Sequence, residues 1–325
     1  MAPLHFPRAG AHPAGMQDDA DGARIVPGRP VRLGPDLVRV TCDNPSPLTG
    51  PGTNTYLLGR GDARIVVDPG PDGAPAAAHL DAVLAAAGGA RIAAILVTHA
   101  HLDHSAAAPL LAVRTGAPVL GFGPPEAGRS ARMARLAGGL EGGEGLDRGF
   151  TPHRTLADGE VLRAAGVEVR AIHTPGHFGG HLAFALGDAV LSGDLAMAWA
   201  TTLVSPPDGD VADFARSCAR LAALAPAVLH PGHGGPVADP PARLAALVAH
   251  RRAREAQIRA ALAAAPGTPA ALAARIYADV PPALLPAAAR NVLAHLIDLE
   301  DRGLAAADGP PGPAATFTAR GGPGP

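Results

Sequence analysis

The chain has 325 residues, 47% of them hydrophobic and 17% charged, which is enough to bury one large core and to form a second, small domain. The net charge of −2 argues against a polyanion as the dominant partner, and all 27 basic residues are arginine because no lysine occurs. The two cysteines, Cys42 and Cys218, exclude a disulfide framework and favour a reducing, cytoplasmic location. We expect neither a signal peptide nor a membrane-spanning segment.

The first half alternates strand-like and helix-like runs. Residues 1–30 are rich in proline and glycine and are predicted to form a flexible tail. The strand-like runs DLVRVTC, NTYLLG and ARIVVD lead to a predicted helix over 76–87 and to an apolar strand over 90–97. A helix capped by Ser105 and a strand, APVLGF, follow. The glycine-rich stretch 138–149 is predicted to be a mobile loop that borders the substrate entrance.

The second half repeats this pattern before its composition changes. Strands are predicted over 161–172, 182–186 and 189–192, and a helix over 211–223. We place one domain over 31–247 and a smaller one, with a tail, over 248–325. In the smaller domain, three stretches have apolar residues at helical spacing, and a DG turn separates two short strands.

The most informative motif lies directly after the apolar strand 90–97. The segment Thr98–Ser105 reads THAHLDHS and brings four metal-ligand side chains within six positions: His99, His101, Asp103 and His104. Imidazole and carboxylate groups bind zinc, iron or manganese. The alternative is a polar loop whose histidines cap a helix, and it is weaker because such groups are costly to bury unpaired. We therefore predict one loop that serves two metal ions.

Three further ligand-type residues follow the ends of later strands. His177 closes HTPGH, Asp194 follows AVLSG, and His233 lies in HPGHGG. Each of them alone would more often be a packing residue, but together with the first loop the set is specific. We predict that His99, His101 and His177 bind one ion, that Asp103, His104 and His233 bind the other, and that Asp194 bridges both.

These motifs resemble the metallo-β-lactamase superfamily from about Asn54 to His250. Within it, the chain is similar to glyoxalase II-like thioesterases and to the β-lactamase-like protein 2 group, through NPSPLTGPGTNTYLLG, VVDPG, HTPGHFGGH, SGDLAMAWATT, HPGHGGPV and HRRARE. The resemblance implies an α/β fold, an αββα sandwich with the metals at one edge. It also implies that the C-terminal segment forms a small winged-helix domain.

Two departures from true β-lactamases disfavour antibiotic hydrolysis as the main activity. The lysine that often holds a β-lactam carboxylate is absent, and Asp103 rather than a cysteine follows the paired histidines. Persulfide dioxygenases have the same scaffold but bind a single iron ion. The second ligand set, which includes His104 and His233, argues instead for two metals.

The ligand set predicts hydrolysis by a hydroxide that bridges two divalent cations, with zinc as the expected metal. Two cations about 3.5 Å apart bring the pKa of a bridging water toward neutrality. Asp103 is a candidate catalytic proton shuttle, and a role as ligand alone is the open alternative. We expect His173, His181 and His230 to orient ligands and Asp68 to bond a ligand imidazole. Trp199 forms either a wall of the substrate pocket or part of the core.

Three functions compete at this point. The first is hydrolysis of a thioester or ester of a small molecule, favoured by the glyoxalase-like motifs. The second is cleavage of single-stranded RNA, favoured by the domain pairing. The third, a metal-stabilised binding module, is weakest because structural sites are usually closed and mononuclear. We further expect arginines of the C-terminal domain, Arg251 and Arg252 among them, to contact an anionic substrate.

Overall fold

The computed structural model describes residues 24–143 and 145–321 of the chain. Its first sheet contains seven strands in sequence order. The first four strands pair antiparallel and the last four parallel. The strands are β1 (Pro30–Gly34), β2 (Leu37–Thr41), β3 (Asn54–Leu58), β4 (Ala63–Val67), β5 (Arg91–Leu96), β6 (Val119–Gly121) and β7 (Arg154–Thr155).

The second sheet contains five strands in the order β12-β11-β10-β9-β8. Strands β8 to β11 pair antiparallel, whereas β11 and β12 pair parallel. Their bounds are β8 (Val161–Ala164), β9 (Val167–His173), β10 (Leu182–Leu186), β11 (Ala189–Gly193) and β12 (Val228–Pro231). The alternation of buried and exposed residues along β9 matches its position in a sheet with one face in the core.

Apolar side chains from both sheets form the central core. Leu58, Ile65 and Leu96 of the first sheet pack in one cluster with Leu182 and Phe184 of the second. All five side chains are buried. Because successive side chains of a strand point to opposite faces, the other residues of these strands face outward and need a cover.

Helices provide that cover on both sides, which produces the αββα order. Helices α1 (Ala76–Ala87) and α3 (Ala108–Thr115) pack on the first sheet. Helices α5 (Val211–Ala223) and α6 (Pro240–Ala264) pack on the second. The predicted sandwich is thus confirmed. None of the helices in the described part of the chain combines the length and apolar character that crossing a bilayer requires.

The C-terminal part has its own core. Its elements are the end of α6, α7 (Pro269–Ile276), a 3-10 turn (Pro282–Leu284), α8 (Leu285–Asp301), and the paired strands β13 (Ala305–Ala307) and β14 (Phe317–Ala319). Phe317 is fully buried among the helices. Met133 and Leu140, from and just after α4 (Ala131–Leu136), join this core. The proposed boundary at 247/248 falls inside α6, which contributes to both cores.

Most predicted elements match the structure closely. The helices over 76–87 and 211–223 and the strand over 182–186 have the predicted bounds. Ser105 was wrongly predicted as a helix cap: it is the last residue of the short helix α2 (Leu102–Ser105). Of the predicted tail, residues 1–23 lie outside the described residues, while Ile25 is buried.

An ion-pair cluster joins the two parts of the molecule. Asp210 caps α5 by accepting hydrogen bonds from the amides of Ala212 and Asp213. Its carboxylate also lies 3.0 Å from Arg132 Nη2. The Nη1 atom of Arg132 binds Asp301 of α8 at 2.7 Å.

We expect Asp210→Asn to lower the free energy of unfolding by about 2 kcal/mol at pH 7, because it leaves the half-buried Arg132 partly unpaired. Burial raises the pKa of Asp210, but Arg132 and Ser130 hold it below its ordinary value of 3.8. The contribution is therefore fully present above pH 3.8 and declines as the pH falls further. Urea unfolding measures it. The control, Asp158→Asn in an exposed pair with Arg220, should cost less than about 1 kcal/mol; equal costs would contradict the expectation.

Candidate metal centre

Four segments bring the seven predicted ligands to one edge of the sandwich. The first segment follows β5: its loop carries His99 and His101, and its short helix α2 carries Asp103 and His104. His177 follows β9, Asp194 follows β11, and His233 follows β12. The backbone of Gly232 beside His233 hydrogen-bonds Gly193 beside Asp194, which fixes these two strand ends together.

The first group of ligand atoms consists of three imidazole nitrogens. His101 Nδ1 lies 2.9 Å from His99 Nε2 and 3.0 Å from His177 Nε2. All three nitrogens lie within 4.8 Å of one another. This is the spacing expected of groups that share one bound cation.

The second group combines two imidazoles and a carboxylate. His233 Nε2 lies 3.3 Å from both His104 Nε2 and Asp103 Oδ2. Asp194 faces both groups: its Oδ1 lies 3.5 Å from His104 Nε2 and its Oδ2 lies 3.8 Å from His177 Nε2. The structure therefore brings all seven predicted side chains together, with Asp194 between the two groups.

In four of the five histidines, the ring nitrogen that points away from the cluster, Nδ1, forms a hydrogen bond with the surrounding protein. His177 Nδ1 donates to the carbonyl of Leu203 at 2.7 Å, and His233 Nδ1 donates to that of Gly52 at 3.3 Å. His99 Nδ1 bonds Thr98 Oγ1, and His104 Nδ1 bonds Asp68. In its neutral form, which carries one N–H, each of these imidazoles keeps that proton on Nδ1 and directs the lone pair of Nε2 at the cluster.

Asp68 connects two of the histidines. It accepts hydrogen bonds from the amide of Thr98 at 2.7 Å, from the hydroxyl of Thr98 at 2.7 Å and from His104 Nδ1 at 2.8 Å. Since the Thr98 hydroxyl donates to Asp68, it accepts from His99. The contact of Asp68 with the imidazole of a predicted ligand, His104, is present, and such contacts orient metal ligands where a metal is bound.

The backbone of Asp194 is held on both sides. Its amide donates to His181 Nε2 at 3.2 Å, and its carbonyl accepts from Thr202 Oγ1 at 2.7 Å. The predicted orienting role of His181 thus acts through the main chain. His173 instead bonds the Gly179 carbonyl and stacks on Phe122.

The electrostatics divide the cluster into two parts. Burial, followed by neighbouring histidines, lowers the pKa of His99 well below its usual range and that of His101 to about 3. Burial also opposes charge on His104 and His233, but Asp103 and Asp194 raise the pKa of His104 well above its usual range and that of His233 to about 9. Those histidines in turn hold the pKa of both carboxyls low, against the effect of burial.

The donor set fits a pair of divalent cations. Two carboxylates and five imidazoles converge with their lone pairs facing one another, and Asp194 Oδ1 is buried there without a hydrogen-bond partner among the described residues. Buried lone pairs that face only other lone pairs are unfavourable unless a cation lies between them.

Two residues beside the predicted ligands, Thr53 and Gly232, were not singled out in the sequence analysis. Thr53 Oγ1 donates to Asp103 Oδ2 at 3.1 Å, but a lone threonine carries no recognisable signal. Gly232 has one, because it lies within the HPGH motif. A Cβ atom there would lie 2.6 Å from His104 Cε1 and closer still to Asp194. Any side chain at this position would therefore displace the side chains of Asp194 and His104.

The glycine-rich loop and Arg251 differ from expectation. The described part of the loop is irregular, as predicted, but it is anchored: Leu102 N donates to the Gly145 carbonyl at 2.7 Å, and Asp147 N donates to that of Ala100 at 3.0 Å.

Arg251 is 6% exposed and lies over the Phe214 ring. The expected contact of Arg251 with an anionic substrate is therefore wrong, because its guanidinium is buried. Arg252 is exposed, and its expected contact stays a prediction. Trp199 is only partly buried.

Both cysteines are buried and free. Burial raises the pKa of each thiol to about 12, reinforced at Cys42 by Asp43 and opposed at Cys218 by Arg251. Thiolate nucleophiles are therefore absent at neutral pH. We expect Cys42→Ala and Cys218→Ala to retain activity within about twofold. Turnover assays with metal content measured in parallel test this. Loss of turnover at normal metal content would indicate covalent catalysis.

Sequence comparison identifies both parts of the chain. Residues 48–233 match the Metallo-beta-lactamase superfamily, and residues 268–310 match the Beta-lactamase associated winged helix domain. The chain is 31% identical over 279 residues to the Beta-lactamase-like protein 2 homolog of Drosophila melanogaster. These residues cover 84% of this chain and 90% of that protein. It is 30% identical over 247 residues to an Atrochrysone carboxyl ACP thioesterase of Aspergillus fumigatus, covering 74% and 70% respectively.

Solved structures agree with these matches. The crystal structure of a metallo-beta-lactamase family protein from Thermus thermophilus has a TM-score of 0.72 and 29% identity, over 89% of this chain and all of that one. A beta-lactamase domain protein from Burkholderia ambifaria, at 22% identity, shares the fold with a TM-score of 0.77 over 95% of this chain and all of that one. The chain therefore belongs to the metallo-beta-lactamase superfamily, as a metal-dependent hydrolase with a C-terminal winged-helix domain.

Proposed function

We propose that this protein is a dinuclear hydrolase that cleaves a thioester or ester of a small molecule, with two zinc ions as its cofactors. The proposed ligands are His99, His101 and His177 for one ion, Asp103, His104 and His233 for the other, and Asp194 for both. The proposed hydrolase and winged-helix domains span 31–247 and 248–325. Two buried free thiols support a reducing, cytoplasmic location.

One observation carries this proposal. Seven ligand-type side chains converge on two adjacent points, and four of the five histidines have their outer nitrogen occupied by a hydrogen-bond acceptor. The ligands are thus oriented before any cation binds, which is typical of functional metal sites.

When bound, the two cations would activate a water molecule for attack and polarise the scissile carbonyl. The protein contributes position and proton transfer. Asp103 is the most exposed of the carboxylates, at 29% of its side chain against 11% for Asp194. Its contacts with Thr53, His104 and His233 all use Oδ2. We propose that Asp103 Oδ1 accepts the proton of the attacking water and passes it to the departing thiol or alcohol.

Two features favour a small acyl substrate. The first is the thioesterase among the relatives. The second is the presence of exposed apolar side chains in segments that carry or contact the ligands: Leu102, between His101 and Asp103, is 39% exposed, and Leu48, near Thr53, is 54% exposed. Exposed leucines in segments that adjoin the metal centre suit an apolar acyl group. The burial of Arg251 removes one of the two arginines on which the RNA alternative depended.

Parallel assays of metal-replete protein test the substrate class. The panel contains an acyl-CoA or acyl-glutathione thioester, an oxygen ester of the same acid, bis(p-nitrophenyl) phosphate and a short single-stranded RNA. We expect turnover of the thioester or ester, loss of that turnover in chelator, and recovery with added zinc. Cleavage of the RNA or the phosphodiester, with neither acyl substrate turned over, would overturn the proposal.

A further inference from the structure

A short segment, residues 202–206, lies between the metal centre and the C-terminal helices; we call it the strap. On its inner side, the Leu203 carbonyl accepts the hydrogen bond from His177 Nδ1 at 2.7 Å. The Thr202 hydroxyl donates to the Asp194 carbonyl at 2.7 Å. Two of the proposed ligands are therefore held by the strap.

On its outer side, the same strap is held by side chains of the C-terminal part. Val204 N donates to Asn291 Oδ1 at 3.0 Å. Arg251 donates to that oxygen at 2.9 Å and also to the Thr202 carbonyl. Arg290 donates to the Pro206 carbonyl at 3.0 Å. Asn291 and Arg290 belong to α8, within the stretch that matches the winged-helix domain.

Helix α8 also reaches the loop that holds the first metal-ligand segment. Arg290 Nη2 donates to the Glu141 carbonyl at 2.8 Å. Further along that loop, the Gly145 carbonyl accepts from the amide of Leu102, which separates His101 from Asp103. One helix thus contacts two segments that each touch the metal centre from outside.

We propose that Asn291 is a positioning residue and that the winged-helix domain serves as a support for the metal centre. Asn291 fixes the strap, the strap fixes the Leu203 carbonyl, and the carbonyl fixes the tautomer and orientation of His177. This inference rests on the proposed role of His177 as a ligand. It gives α8 a function within the hydrolase that requires no nucleic acid.

The accepting oxygen of Asn291 is the feature that matters. It is shared between Val204 N and Arg251 Nη1, so its removal leaves a partly buried amide unpaired and frees the strap. Asn291→Ala removes this oxygen, whereas Asn291→Asp retains it beside the positive charge of Arg251. The two variants separate the hydrogen bond from the mere presence of a side chain.

The test measures zinc affinity by competition with a chromophoric chelator. Asn291→Ala should bind one of its two ions about tenfold more weakly or worse, as the loss of such supporting contacts does elsewhere. Asn291→Asp should bind both nearly as tightly as the wild type. Arg275→Ala, which removes contacts confined to the C-terminal part, is the matched control. Wild-type affinity in Asn291→Ala, or equal weakening in Asn291→Asp, would overturn the inference.

A second measurement needs no substitution. Because coupling between two sites is reciprocal, zinc binding to the wild-type protein should slow hydrogen exchange of the Val204 amide about tenfold. Unchanged exchange at Val204 would overturn the inference even if Asn291→Ala failed to fold. His177→Ala distinguishes the two proposals: if it keeps both ions, the ligand assignment itself fails, whereas loss of one ion leaves only the role of Asn291 in question.

Discussion

Asp194→Asn should reduce the zinc content from about two ions per chain to less than one and lower turnover about 1000-fold or more. Asp194 faces both ligand groups, with Oδ1 3.5 Å from His104 Nε2 and Oδ2 3.8 Å from His177 Nε2. An amide retains the shape but loses the negative charge and one accepting oxygen. Both ions should therefore be weakened together.

Elemental analysis and steady-state kinetics on the same preparations measure these effects. The matched control is Asp188→Asn, at an exposed aspartate just before β11, the strand that leads to Asp194. It should keep both ions and normal turnover. If Asp194→Asn retained two ions per chain, a bridging role for this carboxylate would be excluded.

Asp68→Asn should weaken the ion held by His104 by about tenfold to a hundredfold, and should weaken the ion held by His99 less, because Asp68 reaches His99 only through the Thr98 hydroxyl. Asp68 accepts hydrogen bonds from both the hydroxyl of Thr98 and His104 Nδ1 through Oδ2. An amide nitrogen at this place would be a donor facing two donors. His104 would then favour the tautomer with its proton on Nε2, which cannot bind a metal.

Chelator competition again measures the effect, and two details make it specific. Asparagine tolerates the left-handed backbone of this position, where φ is 52°, so strain is not introduced. Asp72→Asn, at an exposed site four residues along the chain, is the control and should change neither ion. Equal loss of both ions in Asp68→Asn would contradict a role of Asp68 that acts mainly through His104.

The sequence predicted the fold well where local patterns agree with the final packing. The helix over 76–87 ends at Gly88 in the left-handed conformation, and glycine is the residue that favours this ending. The start of α6 was missed because two prolines, Pro240 and Pro241, lie there. Proline is tolerated in the first turn of a helix, but in a sequence it is more typical of a loop.

The candidate site could be predicted for its side chains and not for its main-chain partners. The seven proposed ligands lie in dense motifs, so residue type and spacing were sufficient. The carbonyls of Leu203 and Gly52 hold two of the histidines, and a carbonyl has no sequence signature. The contact of Asn291 with Val204 spans 87 residues, which no local pattern can predict.

The sequence also could not predict which arginines are exposed and which are buried. Arg251 and Arg254 have exposed neighbours on α6, and nothing in the sequence pattern indicates that either of them is buried. Both are buried, Arg251 over Phe214 and Arg254 over Tyr277. Arginine stacks readily on aromatic rings, and only the packing of α6 against its neighbours decides which arginines do so.

The most direct test of the proposed centre is an anomalous difference map from zinc-soaked crystals, with data collected on both sides of the zinc absorption edge. We expect two peaks per chain at the edge of the sandwich. One should contact His99, His101 and His177, and the other Asp103, His104 and His233, with Asp194 between them. A single peak, or peaks away from these side chains, would contradict the dinuclear centre and the hydrolysis proposed for it.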